Sequence, residues 1–232
     1  MAAKLHRRRG AETDGMTRMT TQRHDGERPS SALGDHPIIA AMAGRRSVPP
    51  RHLLAPGPSR VQIEMIVRAA ATAPDHGRLQ PYRFIHIVAE RRSALAEVFV
   101  AATQELMPAA TATDVARARE KALAGPELLA LIVAPVPGNT DIPEHEQWAA
   151  AGAALAQLLL AAEDLGFAAM AVSGQRCRTR ALRQALGLRP GESLLCFIAL
   201  GTSTKPRPPR APIALDALMS EWTPGSSDDG DG

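Results

Sequence analysis

Aromatic side chains are nearly missing from this sequence: four Phe, two Trp and one Tyr make up 3% of its 232 residues. An interior without large rings has to be built from Ala, Leu, Val and Ile, so a planar ligand would be packed mainly by aliphatic groups and backbone. Cysteine is as scarce. Two thiols, Cys177 and Cys196, cannot form a disulfide framework, and their spacing matches no zinc pattern. They read as plain thiols beside apolar stretches, and a reduced, cytoplasmic setting is expected. Long hydrophobic runs are absent too. The most apolar stretch, Trp148–Ala162, contains Gln157 and falls short of the roughly twenty residues a membrane span needs. The basic N-terminal stretch is followed by no apolar segment, so a secretory signal is not expected.

Several fingerprints are also missing. No G-x-G-x-x-G follows a strand-like segment and no G-x-x-x-x-G-K-[ST] occurs, which disfavours a Rossmann dehydrogenase and a P-loop NTPase. There is no G-x-S-x-G elbow, so Ser173 in AVSG does not mark a hydrolase. The net charge is only +3. It is unevenly spread: residues 1–30 carry seven bases against four acids, residues 211–232 carry five acids and no base, and the body between them has twenty bases and fifteen acids. That mild excess suits an anionic ligand such as a phosphorylated cofactor. It is too weak for a nucleic-acid surface, and no nucleic acid is expected as a partner.

What is present fits one domain. Residues 1–34 lack periodicity and read as a disordered extension, residues 35–211 as the folded body, and 212–232 as a tail ending in GSSDDGDG. Asp35 is placed to cap a short helix over Pro37–Ala43 that stops at Gly44. A proline-rich loop follows from Val48 to Pro58. Ser59 and Gln62 form an S-x-x-Q capping box for a helix reaching about Ala71. Strands are expected at Arg83–Ala89, Leu128–Ala134, Phe167–Val172 and Ser193–Leu200. Ser93–Leu106 and Ala112–Leu123 read as helices forming a lid. Glu146–Leu165 is the longest helix, apolar nearly all round, which is easier to bury if a second subunit covers one face. Thr179–Leu186 is a short helix closed by Gly187. The pattern is α+β, helices on a central sheet.

Three local patterns bear chemistry. Arg45-Arg46-Ser47 offers two guanidiniums and a hydroxyl, a good fork for a phosphate monoester. The same residues also suit a solvated helix C-terminus, where the macrodipole favours arginine. Asp75-His76 with Gln80-Pro81, between a helix and a strand, can place polar groups against a heterocycle edge, although a lone His76 is more often a surface residue. Glu144-His145-Glu146 is not read as a metal site, because the three diverge at a helix start where acids are favoured anyway, and no metal is expected.

Taken together, RRS at 45–47, APDHGRLQPYRF at Ala73–Phe84, the Ala-rich helix leading to MAVSG, and the late ALGL and FIALGT resemble the nitroreductase family, in particular its YdjA-like subgroup. The resemblance spans about residues 37–205. It implies a nitroreductase-like fold, a mixed or antiparallel sheet flanked by helices, in an intertwined homodimer with FMN at each interface site. It assigns Arg45, Arg46 and Ser47 to the FMN phosphate and ribityl chain. Thr72 and His76 would reach the flavin from the partner subunit, with Gln80 close by. Ala171, Val172 and Ser173 would lie along the ring, and Lys205 is a further phosphate contact. Relatives often carry an aromatic in place of Ala171, Trp in place of Tyr82 and Arg in place of Thr72, which implies a roomier pocket here.

The implied activity is that of an FMN-dependent oxidoreductase. NAD(P)H, as co-substrate, passes hydride to the flavin and leaves, and a nitroaromatic, quinone or similar small-molecule acceptor then takes the electrons, a ping-pong scheme. No side chain is assigned as a catalytic acid or base. One alternative keeps the flavin and drops or specialises the turnover. Another, from a different class, is an interaction protein using its basic HRRRG arm, which Glu12 and Asp14 dilute.

Overall fold

The computed structural model describes residues 36–138, 141–204, 211 and 213–223. Helix α1 (Pro37–Gly44) opens the described chain with Pro at its start and His36 at the N-cap position; Asp35, the expected cap, lies outside the described residues. Helix α2 (Arg60–Ala70) begins at Ser59, whose hydroxyl accepts from the Gln62 amide while the Gln62 side chain accepts from the Ser59 amide. The capping box is real and contributes about 1 kcal/mol to holding that helix end.

Four strands follow, β1 (Tyr82–His86), β2 (Glu127–Val133), β3 (Ala168–Val172) and β4 (Ser193–Gly201), in the order β1-β2-β4-β3. Every strand pair is antiparallel. Of the mixed and antiparallel sheets the sequence left open, the strands form the antiparallel one. The expected strand over Arg83–Ala89 starts one residue earlier and ends at His86.

Both faces of the sheet are covered, which explains why ELLALIV and SLLCFIALG read as continuous apolar runs. On one face Leu128, Ala130 and Ile132 of β2 meet Leu194, Phe197 and Ala199 of β4 beneath α3 (Arg92–Leu106), α4 (Ala112–Leu123) and α6 (Arg180–Ala185). On the other, Leu129, Leu131 and Val133 join Cys196, Ile198 and Leu200 beneath α2 and α5 (Glu144–Asp164). A bulge where Leu131 pairs with Cys196 but Ile132 with Leu194 switches the facing of β4, so Leu194 shares a face with Phe197.

The lid reading of α3 and α4 is overturned. Leu95, Ala96, Phe99, Val100 and Ala102 of α3, with Ala118 and Ala122 of α4, are buried against the sheet, so this pair is a layer of the core. Arg92, itself buried, fixes the end of α4 by donating to the carbonyls of Ala122 at 2.8 Å and Ala124 at 2.9 Å. Two of the few aromatics meet here: Phe99 and Phe197 lie 5.3 Å apart, centroid to centroid.

Among the described residues, two helices keep an apolar face bare. α1 buries none of its residues and exposes Ile38, Ile39 and Met42. α5 buries Ala150, Ala151, Ala154, Leu158 and Ala162 but leaves Ala149, Gly152 and Ala156 exposed at helical spacing. Among the described residues, no helix is long and apolar enough to cross a membrane.

Candidate functional site

The chain leaving α1 runs along the open edge of β3. Ser47 bridges Ala169 in parallel fashion, and the Val48 amide donates to the Ala169 carbonyl at 3.2 Å. This bridge sets Arg45, Arg46 and Ser47 beside a strand whose other edge is occupied by β4. The Arg45 guanidinium lies 3.5 Å from the Ser47 hydroxyl. Arg46 turns back, donating to the carbonyls of Ala43 and Arg45 at the end of α1. Arg46 thus satisfies helix-terminal carbonyls, as the helix C-terminus reading of RRS expects, while Arg45 and Ser47 lie side by side.

Along β3, Ala168 and Ala169 are buried, Met170 and Ala171 half-buried, and Val172 and Ser173 exposed. The strand thus emerges from the core toward Gly174, whose φ of 130° breaks the run. Arg45, Ser47, Ala171, Val172 and Ser173 occupy one connected edge.

Thr72 and His76 form a second group, seated on α5, with Gln80 in the same loop. The Thr72 hydroxyl lies 2.8 Å from the Ala69 carbonyl and 3.0 Å from Oε1 of Gln157. His76 pairs with Glu146 at 2.8 Å through its Nδ1. Gln157 and Glu146 sit eleven residues apart on α5, about 16 Å along the helix, so the loop lies along the helix rather than at one point. Gly77, with φ of 68°, packs so tightly against Ile142 that any side chain there would strike it. The Asp75 carboxylate accepts from the Gln80 amide at 2.7 Å, holding Gln80 in a left-handed conformation at φ 45°. Tyr82 is buried behind this loop, and burial first, then the Asp75 charge, raises its phenol pKa. The acids once weighed as metal ligands are engaged elsewhere, Glu144 with the Trp148 indole at 3.0 Å and Glu146 with His76. Lys205 lies outside the described residues.

Beyond Ser173 the structure reveals a feature that sequence reasoning missed. A cleft of about 640 Å³ is lined by Trp148, Ser173, Gly174, Gln175, Cys177, Arg178, Arg183 and the first residues of β4. Its signal was present in QRCRTR, an arginine-rich stretch directly after MAVSG. Behind one wall lies Glu192, buried, whose carboxylate accepts from Arg83 at 3.0 and 2.8 Å and from Arg189 at 3.0 and 2.7 Å. The Arg83 guanidinium, ahead of the opposing cost of burial, holds that carboxyl well below the usual range.

An antiparallel sheet between two helical layers, with Arg45 and Ser47 beside one edge and a cleft past the end of the same strand, defines an α+β protein. Comparisons with known proteins make this specific. The sequence pattern of the nitroreductase family matches residues 42–202. A provisionally named NAD(P)H nitroreductase of Haemophilus influenzae is 33% identical over 152 residues, covering 66% of this chain and 82% of that protein. The provisionally named NAD(P)H nitroreductase YdjA of Escherichia coli K12 is 33% identical over 166 residues, covering 71% and 87%.

The fold agrees. A nitroreductase-like protein from Bacillus cereus superposes with a TM-score of 0.70 at 19% identity, covering 80% of this chain and 95% of that one. A provisionally assigned nitroreductase from Desulfovibrio desulfuricans, solved in complex with FMN, gives 0.60 at 26% identity, covering 81% and 98%. The chain belongs to the nitroreductase family, and its class is that of an oxidoreductase enzyme.

Proposed function

We propose that this chain is a homodimeric, FMN-dependent oxidoreductase that takes hydride from NAD(P)H and delivers electrons to a nitroaromatic, quinone or similar acceptor. The observation that carries the reading is the bridge of Ser47 to Ala169, which lines up a phosphate fork with the exposed end of β3. The residues present fit FMN. A guanidinium and a hydroxyl 3.5 Å apart suit a phosphate monoester. The strand edge beside them, small-sided at Ala171, leaves room for a flat ring. The FMN complex of the Desulfovibrio relative supports the same assignment.

When bound, FMN supplies the two-electron chemistry. The chain's residues bind and orient. Arg45 and Ser47 hold the phosphate end, with Lys205 a further contact, and Arg46 fixes the turn that presents them. Ala171, Val172 and Ser173 back the ring. Thr72 and His76 sit on α5, whose exposed Ala149-Gly152-Ala156 face fits close helix contact with a second copy, and with Gln80 of the same loop they complete the partner's site. The bare apolar face of α1 belongs to the same interface.

The test is a visible spectrum of purified protein incubated with FMN and desalted, followed by NADH and NADPH oxidation with a quinone or nitroaromatic. Retained flavin bands and turnover are expected. Protein that stays colourless refutes the reading, and yellow protein without turnover reduces it to a flavin binder.

A further inference from the structure

We propose that the cleft beyond Ser173 is an anion subsite: it receives the negatively charged group of the molecule that exchanges electrons with the flavin, and Arg178 is its recognition residue. This rests on the reading of β3 as the flavin edge. Ser47 is level with Ala169, and Ser173 lies four residues farther, about 13 Å away at 3.3 Å per residue. A cofactor with its phosphate at Ser47 and its ring laid along β3, as proposed above, reaches Ser173, and the cleft opens at that end. Its 640 Å³ falls within the range of small-molecule sites.

The lining has one sign of charge. Arg178 and Arg183 face it together with Ser173, Gln175 and Ser193, and among the described residues no acid lines it. Arg183 is committed to structure, donating to the carbonyls of Glu192 at 2.7 Å and Arg189 at 2.8 Å, yet those bonds leave its charge in place. Arg176, behind the same turn, stacks 4.9 Å from the Phe99 ring centroid and donates to Thr103 at 3.4 Å. Two carboxylates stand beside lining residues and both are engaged: Glu192 is shared by Arg83 and Arg189, and Glu144 accepts from the Trp148 indole. Arg178 is exposed at the cleft. Leucines and the Trp148 indole supply the apolar remainder, so the site fits a flat apolar body bearing a carboxylate or phosphate.

The charged group has two sources, a carboxylate on the acceptor or the 2′-phosphate of NADPH, and the test separates them. FMN-supplemented wild type, Arg178→Ala and Arg178→Lys are compared by kcat/KM for 4-nitrobenzoate against nitrobenzene, and for NADPH against NADH. Binding of 4-nitrobenzoate and of 2′,5′-ADP is measured in parallel by calorimetry, with and without FMN. The expected result is a drop of about tenfold in one charged-to-neutral ratio in Arg178→Ala, carried by KM, with largely restored values in Arg178→Lys. Weaker binding of the matching charged probe should accompany it. A changed acceptor ratio identifies the carboxylate, and a changed dinucleotide ratio the phosphate. Ratios and probe binding unaltered in Arg178→Ala overturn the subsite. If wild type takes up no FMN, the flavin reading fails on its own, and the flavin-free titrations still decide whether Arg178 holds an anion.

Discussion

The Val48 amide donates to the carbonyl of Ala169 across 3.2 Å, joining two segments more than a hundred residues apart in sequence. It ties a motif that is ambiguous in isolation to the edge of β3. Without it, RRS is the tail of a short exposed helix. With it, Arg45 and Ser47 stand at a fixed distance from Ala171 and Ser173.

The first consequence concerns Arg45. A charge-assisted hydrogen bond contributes about 1.5–3 kcal/mol, so Arg45→Ala should weaken FMN binding roughly ten- to a hundredfold. Fluorescence titration with FMN measures it. Arg51→Ala, which removes an exposed arginine from the neighbouring turn, should change little. Equal losses in both variants would mean that the general basic character of the loop, rather than the fork, holds the cofactor.

Much of this arrangement was legible in the sequence, for identifiable reasons. Ser59 and Gln62 announce α2 because a capping box is a local pattern with a local cause. The long α5 follows from composition alone. What was not legible depends on contacts between distant segments. The bulge at Leu131–Ile132 changes which residues of β4 share a face, and no periodicity reveals it. Helices α3 and α4 passed for a lid because their small buried residues, Ala96, Ala102, Ala118 and Ala122, carry little hydrophobic signal yet pack closely. The arginines of QRCRTR carry no motif of their own, and only the fold sets Arg178 and Ser173 in the lining of one cleft.

The exposed stripe on α5 gives a test of assembly. Ala156→Glu places a carboxylate where the protomer has open surface, so the single chain should still fold. If that face meets a second copy, the buried charge has no partner and the dimer is destabilised by several kcal/mol. Sedimentation should then show monomer at concentrations where wild type sediments as the proposed dimer, and FMN retention should fall with it if Thr72, His76 and Gln80 complete the partner's site as proposed. A variant that remains dimeric would move the interface away from this face.

Glu192 controls stability in acid. Its folded carboxyl sits below the usual range because Arg83, first, and Arg189 hold the charged form. The unfolded carboxyl titrates near pH 4.3. The stabilisation is thus fully present above that value and is lost as pH falls toward the folded pKa. Glu192→Gln removes the charge but leaves Arg83 and Arg189 in place, and should cost about 3 kcal/mol at pH 7. For a domain of this size that is a drop of roughly 6–12 °C in Tm. Thermal melts followed by circular dichroism from pH 7 to pH 3 should show the gap between wild type and variant narrowing below about pH 5. A constant gap would show that the carboxylate's charge contributes nothing.

The two thiols separate the cleft from the core. Cys196 is buried beneath α5, and burial pushes its thiol up to about 12. Cys177 is half-buried in the cleft wall; burial raises its thiol too, against the opposing pull of Arg176. Since the thiolate is the reactive form, a disulfide reagent at pH 8 should modify folded protein slowly and at Cys177 alone, with Cys196 released only by denaturant. Counting reacted thiols over time, with and without 4-nitrobenzoate, checks both halves of the argument. Protection of Cys177 by that ligand places the anion in the cleft, whereas prompt reaction of both thiols in native buffer would mean that the packing around β4 opens far more readily than its burial implies.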